Sequence, residues 1–315
     1  MLTEAPVRRE RRWVLYWMTS FRRTRFNFAL DRAIELATEL GKPLIVLEAL
    51  RVGYPHANDR LHTFILEGMR DNVARMKGAP ALFLPWVERA EGEVKALYGD
   101  LSARACVVVT DDWPCFFVPR MHAGMAAGTP CLMEAVDSNG LYPLHDTERV
   151  FTTAHSFRTH LQKTLPPHLR DWPAEHPFAG LKVPVLRELP APLNRTWAPT
   201  DVAALLERPS LFAQLPIDHS LAPGFLTGGS DAADARLKFF INEGLAQYET
   251  ARNEPEVDGT SRFSPYLHFG HLSTHQIFRA IAKAEKWSPE VLGKSIGGSK
   301  AGWWHLSSSA ESFID

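Results

Sequence analysis

Five short runs of consecutive apolar residues lie in the first 136 residues, and helical patterns of roughly 10–20 residues separate them. The runs are Trp13–Met18, Pro43–Leu50, Ala81–Leu84, Cys106–Thr110 and Cys131–Val136. Because their apolar residues do not alternate with polar ones, the runs are typical of strands buried on both faces. Strands that alternate with helices form a parallel sheet with helices on both sides. The pattern predicts an α/β domain with a five-stranded, doubly wound, Rossmann-like parallel sheet.

The turn after the first run bears on ligand binding. A helix is predicted over Phe26–Leu40, because Gly41 and then Pro43 supply a helix stop. The turn before this helix reads TSFRR over residues 19–23 and has no GxGxxG sequence. Ordinary dinucleotide binding at this turn is therefore not expected.

Prolines become frequent between Pro143 and Pro223, which predicts a long connection with a few short helices. A helical pattern resumes near residue 231, and a second helix is predicted from about Ser273 to Lys286. One face of the first of these helices carries Leu237, Ile241, Leu245 and Tyr248. We therefore predict an α/β domain over residues 1–140, a connection over 141–230 and the start of an all-α domain over 231–315.

Composition excludes several classes of protein. The net charge is −1, so the overall charge does not predict a polyanion partner. No apolar run approaches the ~20 residues that span a membrane, and the first residues lack the apolar region of a signal peptide. The chain is therefore predicted to be cytoplasmic and to have no membrane partner. Cys106, Cys115 and Cys131 form no CxxC pair, which favours small buried side chains over disulfides or a zinc site.

Arginines are concentrated in the first 25 residues. They are Arg8, Arg9, Arg11, Arg12, Arg22, Arg23 and Arg25. Such a cluster can bind phosphates. We favour a solvated terminus, which is the commoner role of a charged run.

Residues 248–273 read YETARNEPEVDGTSRFSPYLHFGHLS and combine groups that suit a flat, phosphorylated cofactor. The chain turns at Asp258-Gly259, and Pro265 can start a helix. Hydroxyl side chains flank Arg262 in this turn: Thr260, Ser261 and Ser264. Hydroxyls and free backbone N–H groups before a helix form an anion site that accommodates a diphosphate without a lysine-bearing loop.

This segment resembles the FAD-binding signature of the photolyase/cryptochrome family, in which a tyrosine is followed by RNxP and then by (D/E)GTSxLSPYLHFGxxS. The chain has these elements in the same order, with Phe263 where the family commonly has leucine. The resemblance implies that FAD is the cofactor and that Arg252 lies near the flavin or the DNA lesion. It also implies which residues hold the FAD phosphates and ribityl chain: Tyr248, Thr260, Ser261, Arg262, Phe263 and Ser264.

Three shorter matches resemble class II cyclobutane pyrimidine dimer photolyases and occur in the expected order. They are Val14–Met18 with Asn27 and Ala29-Leu30 in the helix that follows, Phe64–Met69, and Glu134–Asn139, which is similar to EVDAHN. The resemblance implies a deoxyribodipyrimidine photo-lyase, a carbon–carbon lyase. In this reaction blue light excites reduced FAD, which gives an electron to a pyrimidine dimer flipped out of DNA.

The resemblance also sets expectations about partners and about what lies outside this chain. Damaged DNA is the expected partner, the chain is expected to be a monomer, and a deazaflavin or folate antenna chromophore is an optional second cofactor. The family's catalytic residues and electron-relay tryptophans are expected beyond Asp315, so the C-terminal part of the FAD-binding domain is expected to be missing. We accordingly expect this chain alone to retain FAD weakly or not at all.

Two alternatives to repair remain open. One is a cryptochrome-like blue-light photoreceptor without repair activity, which signals through a partner. The other is a truncated, flavin-free remnant that acts as a binding module.

Other patterns give no site. His268, His271 and His275 do not form an HExxH helix, so no metal site is predicted. Residues 293–295 (GKS) end like a P-loop but lack its first glycine and its preceding strand. Trp303 and Trp304 are predicted to pack in a core.

Overall fold

The computed structural model describes residues 1–314, which form two compact units. Unit 1 consists of residues 1–138, 174–230 and 268–271, and unit 2 consists of residues 139–173, residues 231–267 and the chain from residue 272 onward. The predicted domain boundaries at residues 140 and 230 stay a prediction.

Unit 1 contains a sheet of five parallel strands in the order β3-β2-β1-β4-β5. The strands are β1 (Trp13–Met18), β2 (Leu44–Leu50), β3 (Leu82–Val87), β4 (Ala105–Asp111) and β5 (Leu132–Val136). The sheet is doubly wound, because the chain builds outward from β1 to β3 and then continues on the other side of β1 with β4 and β5. Together with the helical remainder of the chain, this confirms the predicted fold class.

The helices follow the strands and continue through the second half of the chain. In chain order they are α1 (Phe28–Leu40), α2 (Asp59–Met76), α3 (Glu93–Ser102), α4 (Val118–Ala126), α5 (Ala154–His168), α6 (Ala191–Thr196), α7 (Val202–Glu207), α8 (Pro209–Phe212), α9 (Ser230–Phe239), α10 (Tyr248–Ala251), α11 (Ser264–His268), α12 (Thr274–Ala284) and α13 (Ser308–Ile314). Phe240–Gly244 forms a π-helical turn, and Leu245–Gln247 and Pro289–Val291 form 3₁₀ turns. The predicted connection was expected to hold only short helices, whereas α5 has 15 residues.

Both faces of the sheet are buried, as the consecutive apolar runs predict. In β1, Trp13, Leu15 and Trp17 belong to one core cluster, which includes α3 residues such as Leu97. The alternate residues of β1 belong to the opposite cluster, which includes Ala29, Leu30 and Ala33 of α1. Helix α1 has the predicted stop, since Gly41 adopts a left-handed φ of 60°.

The turn after β1 is occupied by a carboxylate from a neighbouring strand. Asp111, fully buried at the end of β4, accepts hydrogen bonds from the backbone N–H groups of Thr19, Ser20 and Phe21 at 2.7–2.8 Å. Its second oxygen accepts the Tyr16 hydroxyl at 2.6 Å. These N–H groups stand where a dinucleotide-binding domain presents donors to a phosphate. The structure thus gives a physical reason for the missing phosphate site.

The prediction of a solvated arginine cluster is wrong for two of its members. Arg23 is 3% exposed and donates to the carbonyls of Phe26, Ser138 and Gly270. Arg22 pairs with the fully buried Glu48 at 3.3 Å. Arg23 is buried and the Arg22 side chain is only 12% exposed, because both satisfy polar groups that would otherwise lack partners.

Two smaller features complete unit 1. Cys106 and Cys131 are buried as predicted, but Cys115 is exposed. Along the outer edge of β5, the Leu2 N–H donates to the Met133 carbonyl at 2.8 Å and the Leu132 N–H donates to the Pro6 carbonyl at 3.1 Å.

Unit 2 has its own apolar core. Trp303 and Trp304 are each 6% exposed and pack in one cluster with Phe278 of α12 and Leu165 of α5. This confirms the predicted packing role of the two tryptophans. In the part of the chain that the structure describes, no helix is both long and apolar enough for a membrane span.

Candidate functional site

Tyr248, the first residue of α10, lies in a cluster of aromatic rings in unit 2. Its ring centroid is 5.8 Å from Phe240 and 5.1 Å from Phe313, and both contacts are edge-to-face. Phe240 also contacts Phe263 at 5.1 Å, and Phe313 contacts Phe263 at 6.1 Å. The structure thus brings two predicted site residues, Tyr248 and Phe263, against the same pair of phenylalanines.

A π-helical turn positions Phe240 in this cluster. Residues 240–244 interrupt the helix that α9 begins, and a Cβ added at Gly244 would lie 2.8 Å from the Phe240 ring. Because a π-helical turn contains one extra residue, the residues that follow it, including Tyr248, face a different direction than they would in a continuous α-helix. Phe240 is therefore fully buried at the centre of the cluster.

The turn over residues 259–264 is held close to the end of α10. A Cβ added at Gly259 would lie 2.2 Å from the carbonyl carbon of Ala251, so only glycine fits this approach. Arg262 has a left-handed φ of 57°, which is unusual for a residue with a side chain. The buried ring of Phe263, which is 1% exposed, anchors the turn in the aromatic cluster.

Arg236 of α9 holds the carbonyl side of this turn. Its Nε donates to the Ser261 carbonyl at 2.8 Å, and its Nη2 donates to the Thr260 carbonyl at 2.9 Å. Its guanidinium also lies 5.0 Å from the centre of the Phe239 ring. A two-pronged contact of this kind fixes the plane of the guanidinium as well as its charge.

The donor side of the turn is open. Thr260 and Ser264 are exposed, and within residues 1–314 no hydrogen bond uses the backbone N–H groups of Thr260, Ser261 or Arg262. The Ser261 hydroxyl accepts the Phe263 N–H at 3.4 Å. Successive N–H groups around a left-handed residue form a concave anion site. The hydroxyl and N–H donors present here suit the diphosphate of a dinucleotide, so the chain's residues fit FAD at this turn.

The two predicted site arginines have partners in unit 2. Arg262 pairs with the half-exposed Asp258 at 2.8 Å. Arg252 lies 5.4 Å above the Tyr248 ring and donates to the Ser312 carbonyl at 3.2 Å.

Three residues of the site were not predicted from the sequence: Arg236, Phe240 and Phe313. Arg236 precedes the turn over residues 259–264 by more than twenty residues, and no local pattern marks it.

Unit 1 contains a separate cavity of about 260 Å³ at the carboxyl end of the sheet. Its lining is mainly aromatic: Trp17, Tyr54, Trp113, Phe116, Phe117 and Phe269. Arg51 adds positive charge to the same wall, whereas Arg22, which also lines it, is paired with Glu48. Phe116 has a left-handed φ of 59° and is 73% exposed at the cavity.

The histidines of the motif have packing contacts. The Nδ1 of the buried His271 accepts the Gly229 N–H at 2.9 Å, and a Cβ added at Gly68 would lie 2.2 Å from its Nε2. Burial lowers the pKa of His271 to about 3, with a further contribution from the charges of Arg22 and Arg23. The described residues contain no group of three or more His, Cys, Asp or Glu side chains arranged for a metal ion.

Comparisons with known proteins give the following relatives. The chain is 29% identical over 288 residues to the deoxyribodipyrimidine photo-lyase of Methanothermobacter thermautotrophicus, an alignment that covers 90% of this chain and 59% of that protein. It is 24% identical to the enzyme of the same name from Arabidopsis thaliana, with 89% and 55% covered, and 28% identical to the one from Oryza sativa, with 89% and 54% covered. The chain thus spans little more than half the length of these relatives. No protein-family model matches the sequence.

A solved structure has the same fold. The class III photolyase of Agrobacterium tumefaciens superimposes with a TM-score of 0.61 at 17% sequence identity. The superposition covers 96% of this chain and 56% of that one. At this identity the likeness concerns the fold.

Proposed function

Because the chain belongs to the photolyase/cryptochrome family, we propose that it binds FAD and acts in the light-driven repair of cyclobutane pyrimidine dimers, as a photo-lyase of the class II type. The observation that carries this proposal is the turn over residues 259–264, which presents N–H and hydroxyl donors on one side while Arg236 holds its carbonyls on the other. Damaged DNA is the substrate in this proposal.

The roles of the turn residues follow from their chemistry. The Thr260, Ser261 and Ser264 hydroxyls and the adjacent N–H groups would bind the diphosphate. Arg262 would add positive charge next to it, oriented by Asp258. Phe263 and Tyr248 would keep the turn and α10 in register through their shared contacts with Phe240 and Phe313.

When bound in its reduced form, FAD would supply the electron that splits the dimer and would take it back afterwards. The protein's part is to hold the cofactor and to exclude water from it. Arg252 would contribute its guanidinium to the flavin or lesion side, since Tyr248 supports it from below and the Ser312 carbonyl fixes one of its nitrogens.

We also propose that the aromatic cavity of unit 1 holds the antenna chromophore, a deazaflavin or a folate. Its volume of about 260 Å³ is close to the lower limit of small-molecule sites, ~300 Å³. Flat rings suit its aromatic walls, and Arg51 would attract an anionic group.

The experiment for the FAD site compares FAD with riboflavin, which lacks the diphosphate, by flavin fluorescence during titration of the purified chain. We expect FAD to bind at least about 10-fold more tightly, a difference of roughly 1.4 kcal/mol. Gly259→Ala should remove this preference, because the added Cβ cannot fit against Ala251. Gly99→Ala is the matched control, since a Cβ at Gly99 meets nothing within 4 Å. Equal affinities for FAD and riboflavin would contradict the proposal.

Repair is tested separately on an oligonucleotide that contains one thymine dimer, with the chain in an excess of added FAD, a reductant and blue light. Restoration of the two thymines in the light and none in the dark would support the repair proposal. Binding of FAD without repair would favour the photoreceptor alternative. A folded chain that binds no FAD even when FAD is added in excess would favour the flavin-free remnant.

A further inference from the structure

A histidine of unit 1 lies between two hydrogen-bond acceptors. The Nδ1 of His219 is 2.7 Å from the Asp59 carboxylate, and its Nε2 is 2.9 Å from the Leu215 carbonyl. Because a carbonyl and an ionised carboxylate only accept hydrogen bonds, both ring nitrogens must carry a proton to make both bonds. The geometry therefore fits the imidazolium form of His219, and the neutral form can make only one of the two bonds.

This histidine joins two segments that are distant in sequence. Residues 215–220 lie against the start of α2 through two backbone hydrogen bonds. The Asp218 N–H donates to the Ala57 carbonyl at 2.9 Å, and the Asp59 N–H donates to the Asp218 carbonyl at 3.1 Å. The His219 side chain adds a third link, to the carboxylate of the first residue of α2.

The chain just before α2 forms part of the wall of the aromatic cavity. Three consecutive residues of the loop between β2 and α2 line this cavity: Tyr54, Pro55 and His56. Leu215 packs in one core cluster with Leu50 and Ile65, which also line the cavity. Movement of residues 215–220 away from Ala57 would therefore leave this wall without part of its support.

The groups around His219 favour its protonated form. The hydrogen bond to Asp59 raises the pKa of His219 above its ordinary value, with smaller contributions from the carbonyl that accepts its second bond and from the charge of Asp218, while burial opposes the shift. Arg60, the next charged residue of α2, donates to a carbonyl of the following loop. The bonds of the imidazolium are therefore complete below about pH 6.5 and are lost as the pH rises through the raised pKa.

We propose that His219 is a pH-sensitive switch on the aromatic cavity of unit 1. In its doubly protonated form it holds residues 215–220 against α2 and keeps residues 54–56 in the position that a flat aromatic ligand needs. Loss of one proton removes one link, and the cavity then binds such a ligand more weakly. The inference rests on the proposed function in one respect, namely that this cavity holds a ligand.

Hydrogen exchange of the Asp59 and Asp218 amides tests the switch without any ligand. Between about pH 6 and pH 8.5, after correction for the intrinsic rate, their protection should fall by about 2- to 5-fold, the range expected for one partly exposed ion-paired hydrogen bond. H219A should have low protection with little pH dependence. H176A, which removes another exposed histidine of unit 1, should behave like the unmodified chain.

The effect on the cavity is tested with anilinonaphthalene sulfonate, a flat aromatic anion whose fluorescence rises on binding and whose sulfonate stays charged over this pH range. H219A should bind it about 2- to 5-fold more weakly than the unmodified chain near pH 6 and by a smaller factor near pH 8.5. His56 and His268 also line the cavity, but they are present in both chains, so their own titration cancels in the comparison. F116A/F117A, which removes two exposed rings of the cavity, should lower the affinity at both pH values and so locates the probe.

The outcomes separate this inference from the proposed function. If the two amides have the same pH dependence in H219A as in the unmodified chain, His219 is not the switch. If exchange changes as expected but H219A binds the probe as tightly as the unmodified chain at both pH values, the switch does not act on the cavity, and the inference is again wrong. Both results leave the antenna proposal standing. If the probe does not bind, or binds F116A/F117A as tightly as the unmodified chain, the cavity is not a ligand site, and the antenna proposal and this inference fail together.

Discussion

The Asp111 carboxylate accepts the Ser20 backbone N–H at 2.7 Å, in the turn where a sheet of this strand order otherwise holds a nucleotide phosphate. The chain therefore supplies its own anion to the first βα turn. A phosphate could enter only by displacing a buried carboxylate that holds several hydrogen bonds.

Asp111→Ala should destabilise unit 1 by about 1–3 kcal/mol, because it removes the oxygen that accepts three backbone N–H groups and leaves these donors unpaired. The loss of stability is measured as the change in the free energy of unfolding in a urea titration. Tyr16→Phe is the control, since it removes one bond to Asp111 and leaves the N–H donors paired. A loss for Asp111→Ala no larger than that for Tyr16→Phe would contradict this account of the turn.

Arg236→Gln should weaken FAD binding by about 10-fold or more, because the turn would lose two charge-assisted hydrogen bonds to its carbonyls. Lys238→Gln, an exposed change of the same charge on the same helix, should have little effect. Flavin fluorescence reports both. If the two variants lose affinity equally, Arg236 acts only through its charge, and the positioning role is wrong.

Phe263→Ala should destabilise unit 2 by about 3–5 kcal/mol, the cost of a cavity in an aromatic cluster. Phe263→Leu, which introduces the residue common in the family, should cost less than about 1.5 kcal/mol. Thermal unfolding monitored by near-ultraviolet circular dichroism separates the two. Similar losses for both substitutions would mean that the ring itself, rather than apolar volume, is required.

Acid should weaken unit 1 through His271. Its pKa is about 3 in the folded chain and about 6.5 in an unfolded one, so the unfolded state binds the proton first. The stability that neutral His271 contributes is complete above about pH 6.5 and falls as the pH drops toward 3, by up to about 1.4 kcal/mol per pH unit.

Hydrogen exchange of the Gly229 amide, which donates to His271 Nδ1, gives a local measure of this loss. Its protection should decrease between pH 6.5 and 4.5 after correction for the intrinsic rate. His271→Asn, which keeps an acceptor near the Nδ1 position and does not titrate, should abolish the pH dependence at Gly229. A pH dependence that persists in this variant would assign it to another group, such as the buried His62, whose pKa burial lowers to about 4.

The strands were predictable because burial on both faces leaves a continuous apolar run. Only their ends differed: the prediction stopped at Leu84, whereas β3 continues through Pro85 to Val87. Proline is tolerated there because β3 is an edge strand of the sheet. Edge position is a property of strand order, which no local pattern in this segment indicates.

The candidate site was predictable only where its residues are contiguous. The residues of the turn that carry hydroxyl and charged groups are adjacent in sequence, so residues 260–264 could be predicted together. Arg236 and Phe313 reach the same site through tertiary packing. The burial of Arg23 and the pairing of Arg22 were missed for the same reason, since they depend on carbonyls distant in sequence and on Glu48.

The segment over residues 2–6 has a consequence for the behaviour of the chain in solution. By pairing with β5, it occupies backbone donors and acceptors that an edge strand would otherwise offer to another molecule. These residues therefore act against self-association of the sheet. A tag or a truncation at this end would be expected to promote aggregation rather than to change ligand binding.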